Sequence, residues 1–204
     1  MKLYFTPGAC SLSPHIVAHE AGLEVTLVKV DLASKQTSDG RDYLAINPKG
    51  YVPALELDSD ELLTEGPAIV QYLADQRPDT GLVPAAGTLE RYHVQETLGY
   101  INSEIHKSYS PLFNSKTTPE ARQEKEAYLR KRYALLEKQL AGKSYLFGDH
   151  FGVADAYLFT VTNWTRPLKL ELLADFPNLA AFQERVAARP AVRAAMVAEG
   201  LIKA

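Results

Sequence analysis

Strand-like patterning is confined to the first third of this 204-residue chain, and only helical patterning follows it. Up to about residue 64, short apolar runs end at glycine, proline or aspartate, which is typical of β-strands. From Thr88 onward, apolar residues recur at helical spacing instead. A chain divided in this way predicts an α/β domain followed by an all-helical domain.

The first part of the chain predicts the element order βαβ and then ββα. A helix begins between Ser11 and Pro14, which suit a cap and a first turn, and it stops at Gly22. Glu65-Gly66-Pro67 opens a second clear helix after a polar hairpin turn. The opening βαβ unit implies a parallel pair of strands. The predicted strands span residues 2–5, 25–30, 52–57 and 61–64.

A linker separates the two predicted domains. Residues 78–87 contain two prolines and two glycines and show no periodicity. The expected boundaries are therefore 1–77 for the first domain and 88–204 for the helical one. The predicted helices of the second domain span about 88–113, 120–140, 154–165, 179–188 and 192–199.

Composition and charge exclude several classes of function. The 22 basic and 25 acidic residues give a net charge of −3, so no field favours nucleic acid or an anionic membrane. No apolar run approaches the roughly 20 residues of a membrane span, and no secretory signal is visible at the start. The single cysteine, Cys10, permits no intrachain disulfide and no cysteine-rich metal site. We expect a cytoplasmic protein without a metal ion.

Four segments carry a family resemblance. They are the strand and turn ending in Cys10-Ser11, the loop from Asn47-Pro48-Lys49-Gly50 to Val52-Pro53, the turn Thr64-Glu65-Gly66, and the segment 148–155. In this order and spacing they resemble the cytosolic glutathione S-transferases. Cys10 with His106 and Lys107 is similar to the bacterial beta class of that family. The resemblance implies a thioredoxin-like N-terminal domain, glutathione as co-substrate, and a homodimer.

The sequence departs from the family pattern at two glycines. Gly66 stands where the family often has serine, so a hydroxyl contact is lost but the backbone N–H remains. Gly152 stands where the family usually caps a buried helix with serine or threonine. Asp155, three residues on, can still bond back to the cap N–H. Neither departure removes the resemblance.

Cys10 is the predicted thiol-stabilising residue. It lies just before a helix, where the helix dipole and the unpaired N–H groups favour a thiolate. A lone cysteine can also be a small buried hydrophobe. Ser11 is the alternative hydroxyl group, although capping of the helix explains it more simply.

The remaining glutathione contacts follow from the resemblance. Val52, before a cis proline at Pro53, would pair its backbone with the cysteinyl part of glutathione, although an ordinary trans proline is the alternative. Glu65 and Gly66 would take the ammonium and carboxylate of the γ-glutamyl group, or they would simply begin a helix. Lys35 and Lys107 would meet the glycyl carboxylate. The other expected contacts are Ala9, Asn102, Ser103 and His106.

The resemblance to the beta class implies a catalytic role for His106, and its helix face agrees with a position beside a cleft. The polar stripe that contains Asn102 and His106 lies one position beyond an apolar stripe, beside the expected core. A surface histidine is the alternative. The electrophilic substrate is expected against Tyr109, Leu112, Phe113 and Trp164.

Other chemical motifs are incomplete. His15 and His19 have helical spacing but lack the glutamate of a zinc protease, and no phosphate-binding glycine loop is present. The sequence therefore predicts a glutathione transferase that acts on hydrophobic or aromatic electrophiles. A glutathione-dependent thiol transferase using Cys10, or a non-catalytic binding protein of the same fold, is the alternative. The apolar surface of the helix at 88–113 predicts a homodimer.

Overall fold

The structure, a computed structural model, describes residues 1–203 and divides into two compact units. The first unit contains Met1–Val83 together with the segment from Arg189 onward, and the second contains Pro84–Ala188. The sequence placed the boundary at residues 78–87 and assigned everything after it to the helical domain. The two divisions differ because the last helix packs against the first helix of the chain.

The first unit is built on a five-stranded mixed sheet with the order β3-β2-β1-β4-β5. Strands β1 and β2 are parallel, and the other neighbours are antiparallel. The predicted parallel pair and the predicted hairpin are therefore confirmed. The strands are β1 (Lys2–Phe5), β2 (Thr26–Asp31), β3 (Gln36–Thr37), β4 (Ala54–Glu56) and β5 (Leu62–Thr64).

Four helices complete the first unit. Helices α1 and α3 pack against each other, and α9 packs against α1. The sequence missed β3 and α2, because elements of two and four residues are too short to show a period. The helices are α1 (Leu12–Glu20), α2 (Tyr43–Ile46), α3 (Gly66–Asp75) and α9 (Pro190–Ala198).

The second unit is helical, as predicted. The predicted helix at 88–113 is interrupted by a π-helical segment at Ile101–His106, a form of helix that often occurs at functional positions. Its apolar stripe is buried as expected, from Val94 through Ile105 to Leu112. The helices are α4 (Leu89–Tyr100), α5 (Lys107–Phe113), α6 (Pro119–Leu140), α7 (Val153–Thr162) and α8 (Pro177–Ala187).

Helix α7 forms the centre of the second unit, and all ten of its residues are buried. Gly152 precedes it and supplies no side chain to cap the first turn. Asp155 compensates, since its Oδ2 accepts a hydrogen bond from the Gly152 N–H at 2.9 Å. Its Oδ1 accepts another from the Leu146 N–H, also at 2.9 Å. The predicted bond from Asp155 to the cap residue is therefore confirmed.

A groove of about 310 Å³ lies between α4 and α6 on the second unit. Its wall includes Thr97, Tyr100 and the exposed side chains of Leu135 and Phe147.

Within residues 1–203, none of the helices combines the length and the apolar character needed to cross a bilayer.

Candidate functional site

Cys10 lies in the turn between β1 and α1, as the sequence predicts. Its Sγ is 3.1 Å from the carbonyl oxygen of Val52, and the residue is partly exposed. Helix α1 begins at Leu12, so the thiol is two residues before the first turn of a nine-residue helix. The helix dipole at such a position stabilises a negative charge on sulfur.

Ser11 has a different role from the one expected of it. Its fully buried hydroxyl accepts a hydrogen bond from the Thr6 N–H and donates one to the Thr6 carbonyl, each at 3.2 Å. It makes no side-chain capping bond to α1. A buried hydroxyl needs hydrogen-bond partners, and this one finds both in the backbone of Thr6. Its two bonds close the turn that contains Cys10.

The loop opposite Cys10 contains a cis peptide bond between Val52 and Pro53. Both residues are buried. The ring of Pro53 lies 4.0 Å from the position that a Cβ on Gly66 would occupy. The structure therefore brings Cys10, Val52, Pro53 and Gly66 into one region of the first unit.

Glu65 caps α3 with an unusual backbone conformation. Its φ is 72°, in a region that side-chain-bearing residues rarely occupy, and its carbonyl accepts from the N–H groups of Ala68 and Ile69. Such a conformation costs roughly 1–3 kcal/mol and is concentrated at functional sites. The Glu65 carboxylate is exposed and lies 2.7 Å from Nζ of Lys49.

Two further predicted contacts lie on the same unit. Lys35 donates a hydrogen bond from Nζ to the Gly50 carbonyl at 2.9 Å, which holds its ammonium beside the Val52 loop. Ala9 is partly buried against the sheet cluster that contains Tyr4 and Val52.

A buried pair that the sequence did not reveal supports the Cys10 turn from behind. Glu199 places Oε1 2.9 Å from Nδ1 of His15, and its Oε2 accepts from the Gly8 N–H at 2.8 Å. The side chains are 0% and 2% exposed. Arg189 adds a two-bond ion pair with Glu20 of α1. Glu199 and His15 are 184 positions apart, so no local pattern marks them as partners.

His106 belongs to the second unit and ends the π-helical segment. Its Nδ1 lies 2.7 Å from the hydroxyl of Tyr157, and that hydroxyl donates to Oδ1 of Asn102 at 2.8 Å. The ring of Trp164 contacts the His106 ring nearly edge-on, with 4.9 Å between centroids. The predicted pairing of Asn102 and His106 on one face is thus observed, and Tyr157 is the functional neighbour that sequence reasoning missed.

The predicted electrophile contacts divide into two kinds. Trp164 packs its ring against those of Tyr109 and Phe113, and 51% of the Phe113 side chain is exposed. Tyr109 and Leu112 are buried, contrary to their predicted contact with substrate, because they continue the apolar stripe of this helix into the core. The Tyr109 hydroxyl bonds to that of Tyr133 at 2.9 Å, and burial raises the pKa of Tyr109 well above its usual range.

The other predicted contacts of this unit, Ser103 and Lys107, are exposed at either side of His106 in sequence. Among residues 1–203, no group of three or more histidine, cysteine, aspartate or glutamate side chains is arranged to hold a metal ion.

Comparison with known proteins identifies the family. Residues 8–76 match the family model described as the N-terminal domain of glutathione S-transferase, and residues 100–190 match that of its C-terminal domain. The chain is 47% identical over 201 residues to glutathione S-transferase GstA of Escherichia coli O157:H7, covering 98% of this chain and 100% of that one. The chain belongs to the glutathione S-transferase family.

Solved structures of other family members have the same fold. A sphingomonad glutathione S-transferase complexed with glutathione is 46% identical, with a TM-score of 0.94, over 99% of this chain and 100% of that one. The bacterial beta class glutathione S-transferase of Sphingomonas chungbukensis is also 46% identical, with a TM-score of 0.95 and the same coverage. This transferase therefore has the thioredoxin-like and helical domains of its family.

Proposed function

We propose that this transferase conjugates the glutathione thiolate to hydrophobic or aromatic electrophiles, with Cys10 and His106 as the groups that act on the thiol. The observation that carries the proposal is the 3.1 Å approach of the Cys10 Sγ to the Val52 carbonyl at the start of α1. A sulfur at that point lies near the positive end of the α1 dipole and beside a backbone able to pair with a tripeptide.

The binding part of the proposal assigns each end of glutathione to a charged or backbone group. Val52 pairs with the cysteinyl residue, Gly66 offers its N–H to the γ-glutamyl carboxylate, and Glu65 binds the γ-glutamyl ammonium. The contact of Glu65 with the Lys49 ammonium supports this, because it demonstrates the same kind of ion pair. Lys35 and Lys107 are assigned to the glycyl carboxylate.

The chemical step is a nucleophilic substitution. The thiol proton passes to His106, and the thiolate attacks the electrophilic carbon. A carbon–sulfur bond forms while the bond to the leaving group breaks, and a halide departs with its electron pair. The exposed Phe113 ring, supported by the buried Trp164 ring, provides an aromatic surface for the electrophile. Positioning and electrostatic stabilisation of the thiolate supply the acceleration.

An aryl halide conjugation assay on Cys10→Ala and His106→Ala tests the proposal. Cys10→Ala should retain measurable conjugation, because the helix N-terminus and His106 still act on glutathione. His106→Ala should lower kcat by about 100-fold or more, in the range of a lost proton acceptor. Absence of conjugation by the unmodified protein with several aryl halides would favour a non-catalytic binding role instead.

Thiol–disulfide exchange is the second candidate, and the partial exposure of Cys10 favours it. The substrate would be a disulfide between glutathione and a second thiol compound. The Cys10 thiolate would attack its glutathione sulfur, forming a disulfide between Cys10 and glutathione and releasing the thiolate of the second compound. A second glutathione thiolate would then release Cys10 and form oxidised glutathione. Cys10→Ala should lose all thiol–disulfide exchange activity. Mass spectrometry should show an added glutathione, removable by a reductant, on the unmodified protein only. Equal exchange rates would remove Cys10 from this role.

We further infer a homodimer in which the groove between α4 and α6 contacts a second copy. The apolar side chains of Leu135 and Phe147 are exposed in this groove, which Tyr100 also lines. A concave surface with exposed apolar side chains is typical of a protein–protein contact. Light scattering should give about twice 22.5 kDa, and Leu135→Glu should halve that mass. Lys131→Glu, on the same helix outside the groove lining, is the control. A single-chain mass across micromolar concentrations would contradict the proposal.

The lone cysteine supports a cytoplasmic location.

A further inference from the structure

The tautomer of His106 decides what its ring can do to a thiol. A neutral imidazole carries one N–H donor and one acceptor nitrogen, and the hydrogen bond at one nitrogen fixes the proton at the other. The bond at Nδ1 is to the Tyr157 hydroxyl, at 2.7 Å. The role of that hydroxyl therefore determines the state of Nε2.

The Tyr157 hydroxyl has one hydrogen, and both Asn102 and His106 lie within hydrogen-bond distance of it. One neighbour is Oδ1 of Asn102 at 2.8 Å, and an amide oxygen can only accept. The hydrogen of Tyr157 is directed to that oxygen. Toward His106 the hydroxyl can then only accept, so Nδ1 carries the ring proton and Nε2 carries the lone pair.

Tyr157 is suited to this task because it is rigid. It is 1% exposed and lies on α7, whose ten residues are all buried. Asp155 fixes the start of the same helix through two hydrogen bonds. The Trp164 ring restrains the imidazole from another direction, at 4.9 Å. A hydroxyl held this firmly can orient the ring as well as choose its tautomer.

We propose that Tyr157 is a positioning residue that keeps His106 as the Nδ1–H tautomer, so that Nε2 is the atom that accepts a proton. After proton transfer, the Nδ1–H of the imidazolium still donates to the Tyr157 oxygen, so the bond survives the reaction. This arrangement parallels the group that orients the histidine in hydrolase triads, with a neutral hydroxyl in place of a carboxylate. The use of Nε2 on the glutathione thiol rests on the proposed function, whereas the tautomer itself does not.

Nitrogen-15 NMR of the histidine rings tests the tautomer directly. The chain has five histidines, so the spectrum of His106→Asn assigns the signal of interest. The unmodified protein should show His106 as Nδ1–H above its titration, and Tyr157→Phe should shift the ring toward Nε2–H. The matched control is Tyr133→Phe, which removes a buried hydroxyl that bonds to Tyr109 and Thr162 rather than to His106. An Nε2–H ring in the unmodified protein, or an unchanged tautomer in Tyr157→Phe, would overturn the inference.

Asn102 provides a second test that keeps Tyr157 in place. In Asn102→Leu the hydroxyl has lost its acceptor, so it should donate to Nδ1 and reverse the tautomer to Nε2–H. In Asn102→Asp an acceptor remains, and the Nδ1–H form should persist. The opposite pattern in this pair would contradict the inference even if Tyr157→Phe failed to fold.

Conjugation kinetics separate the inference from the proposed function. Tyr157→Phe should lower kcat by about tenfold while the KM for glutathione changes less than about twofold, because orientation of a proton acceptor is lost and not binding. The pH profile of kcat/KM should also move, which a purely structural role would not produce. A reversed tautomer with unchanged kinetics would support the positioning role of Tyr157 and remove His106 from the proposed reaction.

Discussion

Glu199 and His15 form a buried pair, 2.9 Å apart, that connects the end of the chain to the helix behind Cys10. The second oxygen of Glu199 accepts from the Gly8 N–H in the turn that leads to the thiol. The pair is therefore part of the support of the Cys10 turn, and it can be tested through stability.

We expect Glu199→Ala to destabilise the protein strongly. The change leaves the buried His15 ring and the partly buried Gly8 N–H without their carboxylate, and a buried group that loses its hydrogen-bond partner costs about 1–3 kcal/mol. For a chain of this length, that corresponds to a fall of roughly 2–12 °C in the thermal midpoint. Differential scanning calorimetry measures it. Glu24→Ala, at an exposed position of the same unit, should change the midpoint by little, and an equal fall in both variants would contradict the role of the pair.

Asp155→Ala should destabilise the second unit for a related reason. The carboxylate is fully buried and accepts from the N–H groups of Gly152 and Leu146. Its removal leaves two donors unsatisfied at the start of α7, which costs about 1–3 kcal/mol for each. Unfolding in urea, followed by the fluorescence of Trp164, reports this unit. Exposed Asp149→Ala is the control, and matching midpoints for the two variants would count against this account.

Glu65→Ala should raise the KM for glutathione more than it lowers kcat. The proposed contact binds the γ-glutamyl ammonium, which is remote from sulfur and contributes equally to ground and transition states. Steady-state kinetics with varied glutathione and fixed aryl halide give both constants. Glu61→Ala, in the exposed hairpin turn, should leave both unchanged. A Glu65 variant with an unaltered KM would remove this residue from the site.

Lys49→Met should lower the KM for glutathione, by at most about fivefold. The Lys49 Nζ lies 2.7 Å from the Glu65 carboxylate. The Lys49 ammonium would therefore compete with the γ-glutamyl ammonium of glutathione for that carboxylate. Both side chains are exposed, and such pairs contribute only about 0–1 kcal/mol. Lys29→Met, also exposed, serves as the control. An increase in KM for Lys49→Met would instead mean that Lys49 itself contacts glutathione.

Acid should remove a stabilising contribution of Asp39. Hydrogen bonds from Arg41 and Thr37 lower the pKa of this carboxyl from 3.8 to about 2. Because the folded pKa is the lower one, the contribution is complete above the unfolded value and is lost as pH falls from about 4 toward 2. The gap between the urea midpoints of Asp39→Asn and the unmodified protein should therefore be smaller at pH 3 than at pH 7, and should close further toward pH 2. A gap as large at pH 3 as at pH 7 would exclude this linkage.

The sequence predicted those features that depend on local chemistry. Gly22 marks the end of α1 and Gly66-Pro67 marks the start of α3, because their backbone preferences act within a few residues. The position of Cys10 before a helix follows in the same way from the residues that begin α1. Local reasoning failed at Ser11, where closure of the Thr6 turn prevailed over capping of α1. It also failed at Tyr109, whose place on the apolar stripe should have identified it as core.

Pairings across long stretches of chain were beyond prediction. Tyr157 lies 51 residues from His106, and Glu199 lies 184 residues from His15. Neither pair produces a periodic signal, since each depends on how whole helices pack. The π-helical segment was also invisible, because its residues have ordinary helical preferences.

The position of α9 has a consequence for synthesis of the chain. The first unit lacks one of its helices, and the carboxylate behind the Cys10 turn, until residue 199 has left the ribosome. The helical unit, which is continuous from Pro84 to Ala188, has by then been synthesised in full. Domains generally fold as their chain emerges. The thiol-bearing unit is consequently completed after the helical unit, although its strands are synthesised first, and a nascent chain gains the carboxylate behind the Cys10 turn only after the helical unit has been made.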